Sequence, residues 1–264
     1  MTVASKASKT LNGNEIEALA IRLDEAQTGV HDTLSLADDV DLGIDDAYRI
    51  QEVLVGRRQE RGESLVGVKL GFTSKAKMAQ MGVSDVIVGR LTDAMCVEDG
   101  GELDLHRFIH PKIEPEIAYR LSQDVDLDDP TVDIESCVDA VAPAMEIIDS
   151  RYRDFRFTYT DVVADNTSAA AYVIGPWRPV RPVGDLAVRL AAGDASVTGS
   201  TAAILDDPVN ALHALLDMSR RRRIPLRAGD VVLAGAATAA IPLTAGLAEC
   251  EIDGLGRVTV KGIA

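Results

Sequence analysis

Two glutamates stand one residue apart in IHPKIEPEI, residues 109–117, and a third, Glu146, is enclosed by apolar neighbours in PAMEIID. If KIEPEIAYRL is a strand, Glu114 and Glu116 project from one face and Ile113 and Ile117 from the other, because side chains alternate. Like charges placed side by side repel, and burial would protonate one of them. A hard divalent cation removes that conflict, since carboxylate oxygens are the ligands that Mg²⁺ takes. Glu114, Glu116 and Glu146, with water and substrate in the remaining positions, would make an octahedral Mg²⁺ site. The same alternation also fits the solvated face of an amphipathic strand, and a single acid such as Glu146 fits a solvated face as well. Pro115, between the two acids, points to an edge or irregular strand.

Lys69 is the second feature. In VGVKLGFTSK it lies between Val68 and Leu70 with a glycine on either side of that triplet. Its ammonium can reach a bound carboxylate or carry a proton once its surroundings tune it, or it can be an exposed lysine whose stem covers apolar surface. In VVADNTSAAAYVIG, Asp165 and Asn166 interrupt what reads as an apolar strand. A polar pair there either lines a cavity with partners of its own or makes an Asx turn. His110 sits just upstream of the glutamates, His31 reads as a loop residue suited to a lid, and no HxH or HExxH spacing supports zinc. Arg151 and Arg153, in SRYRDF, are candidate carboxylate partners or solvated cations.

The elements that must position these groups follow from periodicity. Ile16, Leu19, Ala20 and Leu23 predict a helix over Asn14 to Gln27 capped by Asn12 or Asn14, and Ala47, Ile50, Val53 and Leu54 predict a second from Ile44 to Arg61. Near residue 65 the composition changes to short apolar or alternating segments broken by Gly and Pro (LVGVKLGF, DVIVGRL, KIEPEIAYRL, AVAPAMEIID, DVVADN, RVTVKGIA), which is strand-and-turn material. Helices are expected at 208–222, with Pro208 in its first turn, and over the amphipathic segment 134–142 before Pro143. A short helix is expected to start after Thr73 and Ser74, carrying Lys75, Lys77, Met78 and Met81.

The length of 264 residues and 47% apolar content suffice for a core, and the formal charge of −15 excludes a nucleic-acid footprint. The cluster Arg220 to Arg223 reads as the solvated C-terminal end of its helix, where cations suit the dipole. No run of 18 apolar residues and no signal-peptide core occurs, and Cys96, Cys137 and Cys250 form no CxxC pair; a cytoplasmic, reduced setting with no membrane contact is the expectation. There is no GxGxxG, P-loop or GxSxG run.

VGVKLGFTSKAKMAQMGV, FIHPKIEPEIAYRL, PAMEIIDSRYRDFRF and VVADNTSAA occur in this order, and the likeness runs from about residue 15 to the end. They resemble the hydratase/decarboxylase family of the meta-cleavage pathway for aromatic compounds, a branch of the fumarylacetoacetate hydrolase superfamily. The resemblance implies an α+β fold: a mixed β-roll or distorted barrel with flanking helices over 66–264, preceded by a smaller helical part over 1–65. It also implies that Glu114, Glu116 and Glu146 ligate Mg²⁺ or Mn²⁺, and that Lys69 and Asp165 are catalytic groups of one pocket.

KMAQMGV, HPKIEPEI, SRYRDFRF and AGAATAAIPLTAG match the decarboxylase branch of that family. This implies loss of CO₂ from a small 2-oxo dicarboxylate, 2-oxohex-3-enedioate, to give 2-hydroxypenta-2,4-dienoate. Hydration of the latter compound is the alternative, and a non-catalytic metabolite-binding or assembly member is the second. A homo-oligomer, and a complex with the pathway hydratase, are further implications. One departure stands out: where the family commonly reads LGHP, this chain reads LDDP, with Asp206 and Asp207 in place of Gly and His.

Overall fold

The computed structural model describes residues 10–74, 78, 82–83 and 85–264. The expected short helix with Lys75, Lys77 and Met81 lies outside the described residues, apart from Met78, which packs partly buried against two cores.

Helix α1 (Gly13–Thr28) starts at a capping box: Asn12 Oδ1 accepts from Glu15 N at 3.1 Å and Glu15 Oε2 accepts from Asn12 N at 2.8 Å. Of the two asparagines offered by the sequence, Asn12 is therefore the cap. Helix α2 (Ile44–Glu60) buries Ala47, Ile50 and Leu54 against Ile16, Ala20 and Leu23 of α1. This helical part does not close its core alone. Phe72, Ile87, Tyr152, Val162 and Val163 from the later chain complete it.

The strands, numbered along the chain, form two sheets. The larger runs β2 (Ile87–Thr92), β1 (Leu65–Gly71), β11 (Val231–Ala236), β5 (Lys112–Leu121), β6 (Val138–Ile148), β7 (Ala169–Ile174), β3 (Cys96–Val97), with β12 (Ile241–Pro242) on β5 and β8 (Arg178–Pro179) on β6. β1 pairs β11 in parallel, and β5, β6 and β7 form an antiparallel run. The smaller sheet runs β10 (Ala195–Ser200), β9 (Ala187–Ala192), β13 (Gly246–Ile252), β14 (Gly256–Ile263), β4 (Glu102–Asp104). Between them Ile117 and Val141 meet Leu190, Cys250 and Val260, and helix α4 (Pro208–Arg222) adds Leu212 and Leu215. The result is the mixed α+β roll with flanking helices that the resemblance implied.

Three local expectations change. Residues 134–142 are not a helix: a single 3-10 turn, Glu135–Cys137, leads directly into β6. That strand is buried on nearly its whole length and is rich in alanine, so it lacks the period-two signature that a half-exposed strand would show. DVVADN is not a strand either. Thr158 and Asp161 form a capping box that starts helix α3 (Tyr159–Ala164), whose Val162, Val163 and Ala164 fill the second core. Finally, Pro115 lies in the interior strand β5. Its carbonyl accepts from Ala237 N at 2.9 Å, so its missing donor faces β11 where the register shifts between Leu233 and Ala236. An irregular ladder is where a strand proline is tolerated.

Candidate metal centre

The β5/β6 register sets Glu114 directly opposite Glu146, and Glu116 lies two residues further on the same face. Carboxylate oxygens of all three approach within 4.8 Å of one another. Glu116 and Glu146 are wholly buried and Glu114 is half-buried. This is not the wet face of an amphipathic strand, because the sheet curls and Ile113 and Ile117 on the opposite face are buried too.

Two neighbouring strands complete the cluster. Lys69, on β1, brings Nζ to 2.7 Å from Glu146 Oε2 and donates to Thr167 O at 3.2 Å. Gly235, on β11, donates its N–H to Glu116 Oε2 at 2.7 Å. That glycine has φ +113°, and a Cβ on it would stand 2.0 Å from Thr73 Oγ1, so no other residue can bring its amide to Glu116 without displacing Thr73. Glu116 Oε1 and Glu146 Oε1 are buried and meet no hydrogen-bond donor among the described residues.

These surroundings shift every charge. Burial raises the pKa of Glu116 well above the usual carboxylate range, Glu146 and Glu114 push it further, and Lys69 and the Gly235 N–H offset only part. Glu146 is raised by burial, against the pull of Lys69. For Lys69 burial alone would favour the neutral amine, but Glu146, Glu114 and Glu116 together outweigh it and keep the ammonium. A divalent cation supplies the positive charge that the orphaned oxygens lack and reverses the pressure toward protonation. An all-carboxylate donor set suits a hard ion such as Mg²⁺ or Mn²⁺.

The other residues singled out by sequence are placed as follows. Asp165 is buried, but its carboxylate faces Arg151 rather than the glutamates: Oδ1 accepts from Nε and Oδ2 from the Arg151 N–H at 3.1 Å. Burial, outweighing Arg151, raises its pKa to about 6. Arg153 is mostly exposed and pairs with Asp32. His110 lies 2.7 Å from Ser150 O through Nε2 and supports the turn that follows Glu146, while His31 is exposed after α1. Outside that set, Phe72 is buried at φ +56° and stacks on Tyr159 at 5.8 Å. In the LDDP turn, Asp207 caps α4 by accepting from Val209 N at 3.0 Å, and Leu205 N donates to Thr73 O at 2.8 Å. Of the two departing residues, Asp207 thus serves helix initiation, while the contact with Thr73 comes from the main chain of Leu205, which both motifs share. Sequence reasoning missed the Gly235 amide and the Thr167 carbonyl, since main-chain groups carry no residue-type signal.

An oxygen-donor cation site beside a buried lysine, on a curled mixed sheet, defines the metal-dependent class of fumarylacetoacetase-like enzymes. A scan against protein-family models finds no match. The chain is 46% identical over 248 residues to a 4-oxalocrotonate decarboxylase of a Pseudomonas species, covering 93% of this chain and 97% of that protein. A 2-keto-4-pentenoate hydratase of Burkholderia vietnamiensis is 40% identical over 254 residues, covering 93% and 96%. Among solved structures, 4-oxalocrotonate decarboxylase from Pseudomonas putida G7, complexed with magnesium and adipate, superposes with a TM-score of 0.91 at 34% identity, covering 97% of this chain and all of that one. The chain belongs to the hydratase/decarboxylase family of the fumarylacetoacetate hydrolase superfamily.

Proposed function

We propose that this protein decarboxylates 2-oxohex-3-enedioate (4-oxalocrotonate) to 2-hydroxypenta-2,4-dienoate and CO₂, with Glu114, Glu116 and Glu146 holding Mg²⁺ or Mn²⁺. The observation that carries the reading is the buried three-carboxylate cluster with orphaned oxygens beside Lys69, in a chain that matches 4-oxalocrotonate decarboxylases over nearly its full length.

The substrate is a vinylogous β-keto acid. When the C5–C6 bond breaks, its electrons form C4=C5, the C3=C4 pair moves to C2=C3, and the charge arrives on the 2-oxo oxygen. Glu114, Glu116 and Glu146 would hold a divalent ion, which when bound would supply Lewis-acid stabilisation to the developing charge. Lys69 places a second positive charge at the developing oxyanion, held on its other side by Glu146 and Thr167 O. Gly235 N–H steadies Glu116, so the carboxylate does not rotate as charge develops. Protonation of the dienolate oxygen completes the reaction, and no covalent bond to the protein is required.

The test is a Mg²⁺-dependent assay on 2-oxohex-3-enedioate and 2-hydroxypenta-2,4-dienoate in parallel, scoring CO₂ release apart from water addition. The expected result is CO₂ release from the first, lost with a chelator and with Glu116→Gln. Turnover of only the second would make the chain a hydratase, the activity named for a 40% identical relative. The reading extends to a homo-oligomer and to association with the hydratase that consumes the product; sedimentation of each alone and of the mixture tests both.

A further inference from the structure

Three consecutive residues, Asn166, Thr167 and Ser168, occupy the left-handed region, with φ of 48°, 55° and 60°. That region is disfavoured for any residue with a side chain, and Thr167 is β-branched as well. Such a turn persists only where its surroundings over-determine it. Arg151, 1% exposed, supplies most of that constraint. Its Nε and its main-chain N–H donate to the two carboxylate oxygens of Asp165, and its Nη2 donates to Asp165 O. Its Nη1 donates to Asp149 O at 2.8 Å and Ala169 O at 3.2 Å, so one guanidinium binds the chain on both sides of the turn.

The turn is fastened from its other side too. Asn166 Oδ1 accepts from Arg90 N at 2.7 Å, and its Nδ2 donates to Arg90 O at 2.9 Å, which locks the turn to β2. Gly89 makes this approach feasible: a Cβ there would stand 2.2 Å from Thr167 Oγ1 and 2.8 Å from Asn166 O. What the turn delivers is the Thr167 carbonyl, which receives Lys69 Nζ.

We infer that Arg151, through Asp165 and the turn that Asn166 anchors, is a positioning residue for Lys69. The fork of Arg151 fixes the Thr167 carbonyl, and the carbonyl with Glu146 fixes where the ammonium stands. Asp165 enters the reaction by this route, its carboxylate being occupied by Arg151. The inference rests on the proposed role of Lys69 in decarboxylation. Glu114, Glu116 and Glu146 stand on β5 and β6, outside the turn, so disturbing the turn displaces the lysine and leaves the carboxylates in register.

The experiment compares the full chain with Arg151→Lys and Asn166→Ala. Lysine keeps a charge opposite Asp165 but cannot make the fork, and alanine at 166 releases the turn from Arg90 without removing a buried charge. CO₂ release, Mg²⁺ affinity by titration calorimetry and thermal melting are read on each. We expect kcat to fall about ten- to a hundredfold, as a misplacement near 1 Å does, with the Mg²⁺ dissociation constant within about twofold of wild type. A folded variant with wild-type kcat overturns the inference. Parallel loss of kcat and Mg²⁺ affinity also overturns it, because the whole site would then have collapsed. If Arg151→Lys fails to fold, Asn166→Ala decides. Absence of CO₂ release from the wild type defeats the functional reading itself and takes this inference with it, which separates the two failures.

Discussion

Lys69–Glu146 and Arg151–Asp165 are both ion pairs buried to within a few per cent of complete enclosure, yet they are finished differently. Around Arg151 the donors and acceptors close on one another: five hydrogen bonds leave from that residue, and Asp165 receives on both carboxylate oxygens. Around Lys69, two further carboxylates crowd a single ammonium, and Glu116 Oε1 and Glu146 Oε1 have no donor among the described residues. Burial of unsatisfied charge costs several kcal/mol, whereas a closed network rigidifies. The closed cluster therefore behaves as scaffold and the open one as the place where a ligand's charge is expected.

The sharpest way to break this contrast is to neutralise one acid in each cluster. Glu116→Gln should lower CO₂ release by roughly 10⁴-fold, about 5.5 kcal/mol of barrier, because a proposed oxygen ligand of the cation is lost. In metal-free protein the same change should leave stability unchanged or raise it, since a buried carboxylate that two neighbouring carboxylates repel is removed. Equilibrium unfolding in chelator checks this. Asp165→Asn should do the reverse to the fold. An amide cannot accept on both atoms as the carboxylate does from the Arg151 N–H and Nε, so the closed network loses a hydrogen bond and the fold should be destabilised by about 1–3 kcal/mol, measured by denaturant unfolding.

The next effect is a pH dependence. Asp165 is raised from 3.8 to about 6 in the fold, so the folded state holds its proton more tightly than the unfolded chain. The associated stabilisation is fully present below about pH 4 and is lost as pH rises through about 6, a component of about 3 kcal/mol. Unfolding free energies of wild type and Asp165→Asn across pH 4–7 should differ by a term with that slope. A flat difference would show that Arg151 holds the carboxylate ionised after all.

Smaller again is the response to the cation. At a hundred times its dissociation constant, Mg²⁺ should stabilise the wild type by about 2.7 kcal/mol and raise Tm by roughly 5–10 °C. Glu116→Gln should lose most of that shift, and Asp165→Asn should keep it. At the bottom of the scale, Arg223→Ala breaks an ion pair with Asp128 in which both partners are largely exposed, and should leave Tm and turnover unchanged. Only part of the basic cluster is of this kind: Arg221 pairs with Asp85 at the surface, whereas Arg222, 26% exposed, pairs with Asp45 and lies over the Tyr48 ring, and Arg220 donates to Asp129 O.

Much of the molecule was legible in the residues. The acids at 114 and 116 announced a shared face by their spacing, and α1, α2 and α4 announced themselves by apolar stripes and caps. Where local rules misled, the cause was burial on both faces. β6 carries no alternation because both faces are enclosed, so an alanine-rich strand read as part helix. Pro115 read as an edge marker because the β11 register shift that accommodates it lies more than a hundred residues away. Asp165 and Asn166 read as a break in a strand, while Thr158 and Asp161 were in fact starting a helix.

Residue type and spacing by themselves determined which groups can do chemistry here: three carboxylates, one lysine, and the strands that carry them. Only the tertiary structure decided their company. It set Glu146 opposite Glu114, brought Lys69 across from β1, aimed the Gly235 amide at Glu116, and turned Asp165 toward Arg151. Spacing along a strand is fixed by covalent geometry, and so it is written in the sequence. Partners across strands, and main-chain donors above all, are fixed by register and curl, which the side chains of the whole core select together.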